Sequence, residues 1–107
     1  RADGTRIWVA PIGGEPREVA TGEDATWHPD GRRIVFVRLR NDGHTLVSSE
    51  LWVVDSSTGE QRRVGPVSVP AVRPAVSPDG RMVAFADGRS GDVYLAAFDD
   101  PFAQGGR

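Results

Sequence analysis

The chain has 107 residues, 38% hydrophobic and 26% charged, with a net charge of −2, the composition of a folded domain rather than a disordered one. The balance lacks the basic surface a nucleic-acid partner needs, so no nucleic acid is expected. No apolar run approaches the ~18 residues of a membrane helix, so no membrane insertion is expected, and the absence of cysteine excludes disulfides, thiolate nucleophiles and Cys-ligated zinc.

Short apolar runs rich in β-branched and aromatic residues follow one another along the chain. "IWVA" (7–10) is a strand, and "PIGGEP" (11–16) turns the chain back. An inner strand is expected near "DATWH" (24–28). The Pro29-Asp30-Gly31 turn then leads into "RRIVFV" (32–37). A long hairpin, "LRNDGHTLVSS" (39–49), connects it to "LWVV" (51–54). "DSSTGEQ" turns into a short strand at 61–64. After the proline-stiffened link "GPVSVPAVRP" (65–74), Pro78-Asp79-Gly80 opens "RMVAFA" (81–86), and "VYLAAF" (93–98) follows. In each Pro-Asp-Gly turn the proline presets φ, the aspartate bonds backbone two residues on, and the glycine accepts positive φ.

The strands are apolar on consecutive residues. A sheet with one wet face alternates, so both faces of these sheets are expected to be covered. No segment between them has helical periodicity, which disfavours a parallel sheet flanked by helices. The order also repeats. "WHPDGRRIVF" (27–36) returns as "VSPDGRMVAF" (76–85), a constant 49 residues later, and "IWVAPIGGEPREV" (7–19) returns as "LWVVDSSTGEQRRV" (51–64). A period in the forties is that of propeller blades with four strands each. The fold class expected is all-β: a partial β-propeller of about two and a half four-stranded antiparallel blades. Residues 1–20 end one blade, 21–64 form a complete blade, and 65–107 form an incomplete one.

"WHPDGRRIVFV" followed by "LWVVDSSTGEQRRV" resembles the TolB-type, WD-repeat-like propeller repeat, in which a Ser-Pro-Asp-Gly-like turn precedes an Ile/Phe-rich strand and then an aromatic-led one. The resemblance covers nearly the whole chain. His28 departs from the serine that Ser77 retains, a change expected to be minor for the turn. The resemblance implies a bacterial module working in the periplasm or outside the cell, with a cytoplasmic location as the alternative, that holds a protein or peptide partner at its channel mouth or rim. Propellers of this kind also stand beside prolyl-oligopeptidase-type catalytic domains and gate their substrates, so an accessory propeller of such a peptidase is the alternative function. In either case no catalytic residue is expected in this chain.

Propellers close with roughly four to eight blades. Some two and a half leave an uncovered apolar face at each end. The segment, which starts and stops inside blades, is therefore expected to be a fragment of a larger propeller or to associate with copies of itself.

Unequal parts of the repeat are where binding is sought. The long hairpin offers Asn41, Asp42 and His44. Arg73, Asp24 and Thr26 belong to the inner strands and are candidates for lining a central channel. His28 reads as a structural turn residue rather than a ligand, since two histidines without cysteine make a zinc site implausible. Asp30 and Asp79 are accounted for by their turns. "GRSG" (88–91) falls one residue short of a nucleophile elbow. Trp8, Trp52 and Tyr94 share one repeat position and are expected to pack between blades, and Trp27 is expected in the core. No metal and no cofactor are expected.

Overall fold

The computed structural model describes residues 5–41, 46–64 and 70–98. They form nine strands, β1 (Arg6–Val9), β2 (Arg17–Thr21), β3 (Glu23–Trp27), β4 (Arg33–Asn41), β5 (Leu46–Asp55), β6 (Gln61–Arg63), β7 (Ala71–Val76), β8 (Met82–Asp87) and β9 (Val93–Ala97). Every pairing is antiparallel between consecutive strands, and the strands group into a first sheet β1-β2, a second β3-β4-β5-β6 and a third β7-β8-β9. The described residues contain no helix.

The continuous apolar runs have a direct explanation in the pleat. Successive side chains of a strand point to opposite faces. In β4, Ile34 and Phe36 join Ile7, Val19 and Ala20 of the first sheet and Val54 of β5 in one core. Val35 and Val37 point the other way and join Leu51 and Val53 to Ala71, Val83 and Phe85 of the third sheet in a second core. The second sheet is thus apolar on both faces because both are covered. Phe36, Val35, Val37, Leu51, Val53 and Val54 are its most deeply buried side chains.

The cross-strand register keeps each core aligned. Phe36 sits opposite Trp52, and Val35 and Val37 sit opposite Val53 and Leu51. In the third sheet Phe85 sits opposite Tyr94, and the two rings stack at 5.8 Å. Cross-strand partners share a face, so Phe85 and Tyr94 look toward the second sheet just as Phe36 and Trp52 look toward the first.

Passage from the outer strand of one sheet to the inner strand of the next is tight. Gly22 joins β2 to β3 and donates its N–H to the Thr5 carbonyl at 2.7 Å. A Cβ there would lie 2.4 Å from the Phe36 ring and 2.7 Å from the Val37 carbonyl oxygen, so only glycine fits without displacing the core.

Both faces of β4 bear on stability, and Phe36→Ala is expected to destabilise the chain by about 3–5 kcal/mol, as for other large-to-small core changes. Gly22→Ala is expected to lower the urea midpoint as well, without removing any contact. Urea unfolding of the two variants followed by tryptophan fluorescence measures both effects, and an unchanged midpoint for Gly22→Ala would mean that β2 and β3 do not approach Phe36 in this way.

Candidate binding surface on the inner strands

The two Pro-Asp-Gly turns are built alike. In the first, the Asp30 carboxylate accepts the backbone N–H groups of Arg32 and Arg33, at 2.9 and 3.1 Å, and the Arg33 guanidinium at 2.7 Å. Partial burial works against its charge, but these donors and the positive field of Arg33 outweigh it and hold the carboxyl down at about 2. In the second turn Asp79 accepts the Ser77 hydroxyl at 2.6 Å and the Arg81 N–H at 3.0 Å, which lower its pKa too. Gly31 and Gly80 take φ of +74° and +76°.

The exchange of serine for histidine at position 28 does more than the turn requires. His28 is buried. Its Nδ1 accepts the Asp30 N–H at 3.1 Å, which leaves the proton on Nε2, and Nε2–H donates to the Gly80 carbonyl at 3.2 Å. The imidazole therefore ties the turn of the second sheet to the turn of the third, with the Phe98 ring 5.1 Å away. The approach is close enough that a Cβ on Gly80 would lie 2.7 Å from His28 Cε1.

A second pair of turns also repeats, in a form the sequence reading did not isolate. Asp55 and Asp87 are both buried and each opens a turn of pattern Asp-x-x-Thr/Ser-Gly. Asp55 accepts from Ser57 N–H and the Ser57 hydroxyl, and Asp87 accepts the Arg89 N–H at 2.7 Å. Gly59 and Gly91, both at positive φ, return their N–H groups to the Asp55 and Asp87 carbonyls. Ser90 accepts the Asp92 N–H at 3.1 Å inside this hairpin, which fixes it as a turn residue. The Arg32 guanidinium, bound to Asp55 through Nε at 3.0 Å and a terminal nitrogen at 2.8 Å, is the main cause of that carboxyl's strongly lowered pKa.

The inner strands carry the most unusual backbone. Asp24 of β3 and Arg73 of β7 stand 49 residues apart, at the same repeat position, and both have φ of +53°. They are the only non-glycine residues with positive φ among those described. Each falls at an irregularity where its strand slips register against the next, between Glu23 and Thr26 and between Val72 and Ala75. The left-handed conformation costs roughly 1–2 kcal/mol for a residue with a Cβ, less for aspartate than for arginine. A hydrogen bond offsets part of this cost, because the Asp24 carboxylate accepts the Arg73 N–H at 3.2 Å across the two sheets. Both side chains are exposed. Thr26 sits opposite Val35 and is half-buried on the face turned to the third sheet, apart from this pair.

Asn41 ends β4 opposite Leu46. Its side chain, and Asp42 and His44 altogether, lie outside the described residues. Among the described residues no three His, Cys, Asp or Glu side chains gather to hold a metal ion, and no helix is long and apolar enough to cross a membrane.

The aromatics divide by position. Trp52 packs against the core between the first two sheets, with the Arg38 guanidinium 4.2 Å over its ring and its indole N–H donating to Glu50 at 3.0 Å. Trp8, at the same repeat position, is 53% exposed because no sheet among the described residues covers that side of β1. Trp27, expected in the core, is 50% exposed. It lies opposite Ile34, on the face toward the first sheet. Among the described residues that sheet consists of β1 and β2 alone, and they leave half of the Trp27 ring uncovered.

No family model matches the chain, and no curated protein matches it. Among solved structures, a candidate TolB from Agrobacterium tumefaciens is similar over 88% of this chain, at 23% sequence identity and a TM-score of 0.64. The fold is a TolB-like partial β-propeller. The chain spans about a third of that neighbour, 34% of its length.

The turn aspartates predict an acid limb of stability. Asp30, at about 2, lies below its usual 3.8, and Asp55 is lowered as well. A folded-state pKa below the unfolded one gives stability that is complete above about pH 4 and is lost as pH falls through the folded value. The urea midpoint should fall between pH 4 and pH 2, and Asp55→Asn should be less stable at pH 7 and less sensitive to acid. The His28 contact is tested by comparing glycines. Gly80→Ala and Gly31→Ala both incur the positive-φ cost, but only the first meets the imidazole, so it should be the more destabilising in thermal melts. In a His28→Ser background the difference between the two should shrink.

Proposed function

We propose that this chain is a non-catalytic propeller module that binds a protein or peptide partner along the inner strands β3 and β7. The observation that carries this reading is the Asp24–Arg73 pair. Two exposed, oppositely charged side chains occupy equivalent positions on adjacent inner strands, on a backbone held in an unfavourable conformation at both. Strain of this kind persists where the surrounding structure over-determines it, and it concentrates at ligand-holding positions. Here the Asp24 carboxylate holds the Arg73 N–H of the next strand and the Arg73 side chain is exposed, an arrangement suited to a partner's carboxylate or backbone carbonyl.

The other chemically capable groups support the same reading. Asp30, Asp55, Asp79, Asp87, His28 and Ser90 are each engaged by turn hydrogen bonds. The likeness to the Agrobacterium protein concerns the fold, and a binding role on that fold is an analogy. With it goes a working place in the periplasm or outside the cell, and completion of the ring by further sheets.

Selection of a random-peptide display library on the immobilised chain is expected to enrich acidic or C-terminally anchored sequences. Arg73→Glu should reduce their binding by tenfold or more. Arg73→Gly relieves the positive φ, so it should fold at least as stably as the parent yet still lose binding, which separates recognition from folding. Enriched peptides indifferent to both substitutions would place the partner elsewhere.

A further inference from the structure

The two ends of the stack differ, and their differences match. On the outer face of the third sheet the cross-strand pairs Met82–Ala97, Ala84–Leu95 and Ala86–Val93 lie together. All six residues are apolar. Val93 and Leu95 are 70% and 72% exposed. In repeat terms they stand where Leu51 and Val53 stand in the second sheet and Ile7 and Val9 in the first. At both of those places the residues are covered by the next sheet.

The outer face of the first sheet presents Trp8, opposite Glu18. Its counterparts Trp52 and Tyr94 both pack toward the preceding sheet, and Trp52 lies in one core with Ile7 and Val9. The contact that would cover Val93 and Leu95 is thus already made inside the chain, by an aromatic side chain of the type Trp8 provides. Among the described residues the chain carries both halves of the contact, exposed, on opposite ends.

We propose that copies of this chain associate head to tail, the outer face of the third sheet of one copy seated on the outer face of the first sheet of the next, with Trp8 of the second copy over Val93 and Leu95 of the first. The occupant is a second copy because the interface continues the internal stacking of sheet on sheet and because the complementary surface is exposed on the same chain. The apolar face carries no charge at its six positions, so Glu18 and Arg6 of the incoming sheet meet no like charge there. Such a contact is heterologous: each copy uses two different surfaces, and association propagates until a ring closes. This assembly is independent of the peptide reading of the inner strands.

Sedimentation velocity and light scattering on the 107-residue chain test it, with two substitutions on exposed residues, Trp8→Asp and Leu95→Asp. The parent chain should show a mass above its 11.5 kDa monomer that rises with concentration. Each variant alone lacks one half of every contact and should be monomeric, with an unchanged far-ultraviolet circular dichroism spectrum. Mixed in equal amounts, the two should form a capped heterodimer and nothing larger, because the third-sheet face of the Trp8 variant is intact and so is the first-sheet face of the Leu95 variant. Val93→Asp replaces Leu95→Asp if the latter does not fold. A monomeric parent chain would overturn the proposal. So would a Trp8→Asp variant that still self-associates, which would mean that the third-sheet faces pair with each other, or a mixture that yields no heterodimer.

Discussion

The architecture depends on one constraint: a sheet made of these strands is apolar on both faces and is stable only when both are covered. β4 shows the constraint in a single element. Ile34 and Phe36 bury against the first sheet while Val35 and Val37 bury against the third. Each fully buried aliphatic or aromatic side chain contributes about 1.5–3 kcal/mol through removal from water. No arrangement of the second sheet alone would secure that on both sides. Stacking of at least three sheets is therefore a consequence of the amino-acid pattern, and so is the exposure of apolar residues at the two ends of the stack.

Polar chemistry in this chain serves the turns that hold consecutive strands in register. Among the described residues four aspartates have lowered pKa values, and all four open or sit in turns where backbone N–H groups or neighbouring side chains donate to them. Lowered carboxylate pKa values often mark catalytic sites. Here they mark capping, because each carboxylate is engaged by donors from its own turn and, for Asp55, also by Arg32 in the turn just before β4. His28 belongs with this set. Its two nitrogens are occupied by the backbone of two successive repeats, so its role is to align one sheet on the next.

The fold was legible because the repeat is written in the sequence twice over. The constant offset between the two Pro-Asp-Gly turns and the return of the Trp-led strand place eight of the nine strands within a few residues. β7, hidden behind a proline-rich link, was legible only as the inner strand that should follow that link. What the sequence did not disclose were properties that belong to pairs of repeats. The reach of His28 to Gly80 spans 52 positions and depends on the separation of two sheets. The positive φ of Asp24 and Arg73 has no composition signal, since neither is glycine and Arg73 even precedes a proline. Their shared repeat position was the available clue. Trp8 and Trp27 were assigned by their positions in the repeat, yet burial of an aromatic ring is decided by whether a neighbour reaches it. Position within the repeat was read correctly for Trp8, and the missing neighbour decided its exposure.

The inner strands differ from the rest in where the repeat places its left-handed residues. Elsewhere the repeat sets its positive φ on glycine, at positions 13, 31, 59, 80 and 91, where the conformation carries little cost. At 24 and 73 it does not, although glycine would suit the backbone there equally well. A stability argument alone would favour glycine at both. At position 24 the side chain returns something to the fold, since its carboxylate holds the Arg73 N–H. At position 73 the exposed guanidinium has no such structural role among the interactions described, while its backbone bears the larger conformational penalty. The residue that costs stability without a structural return among the described interactions is the one on which the proposed binding reading rests.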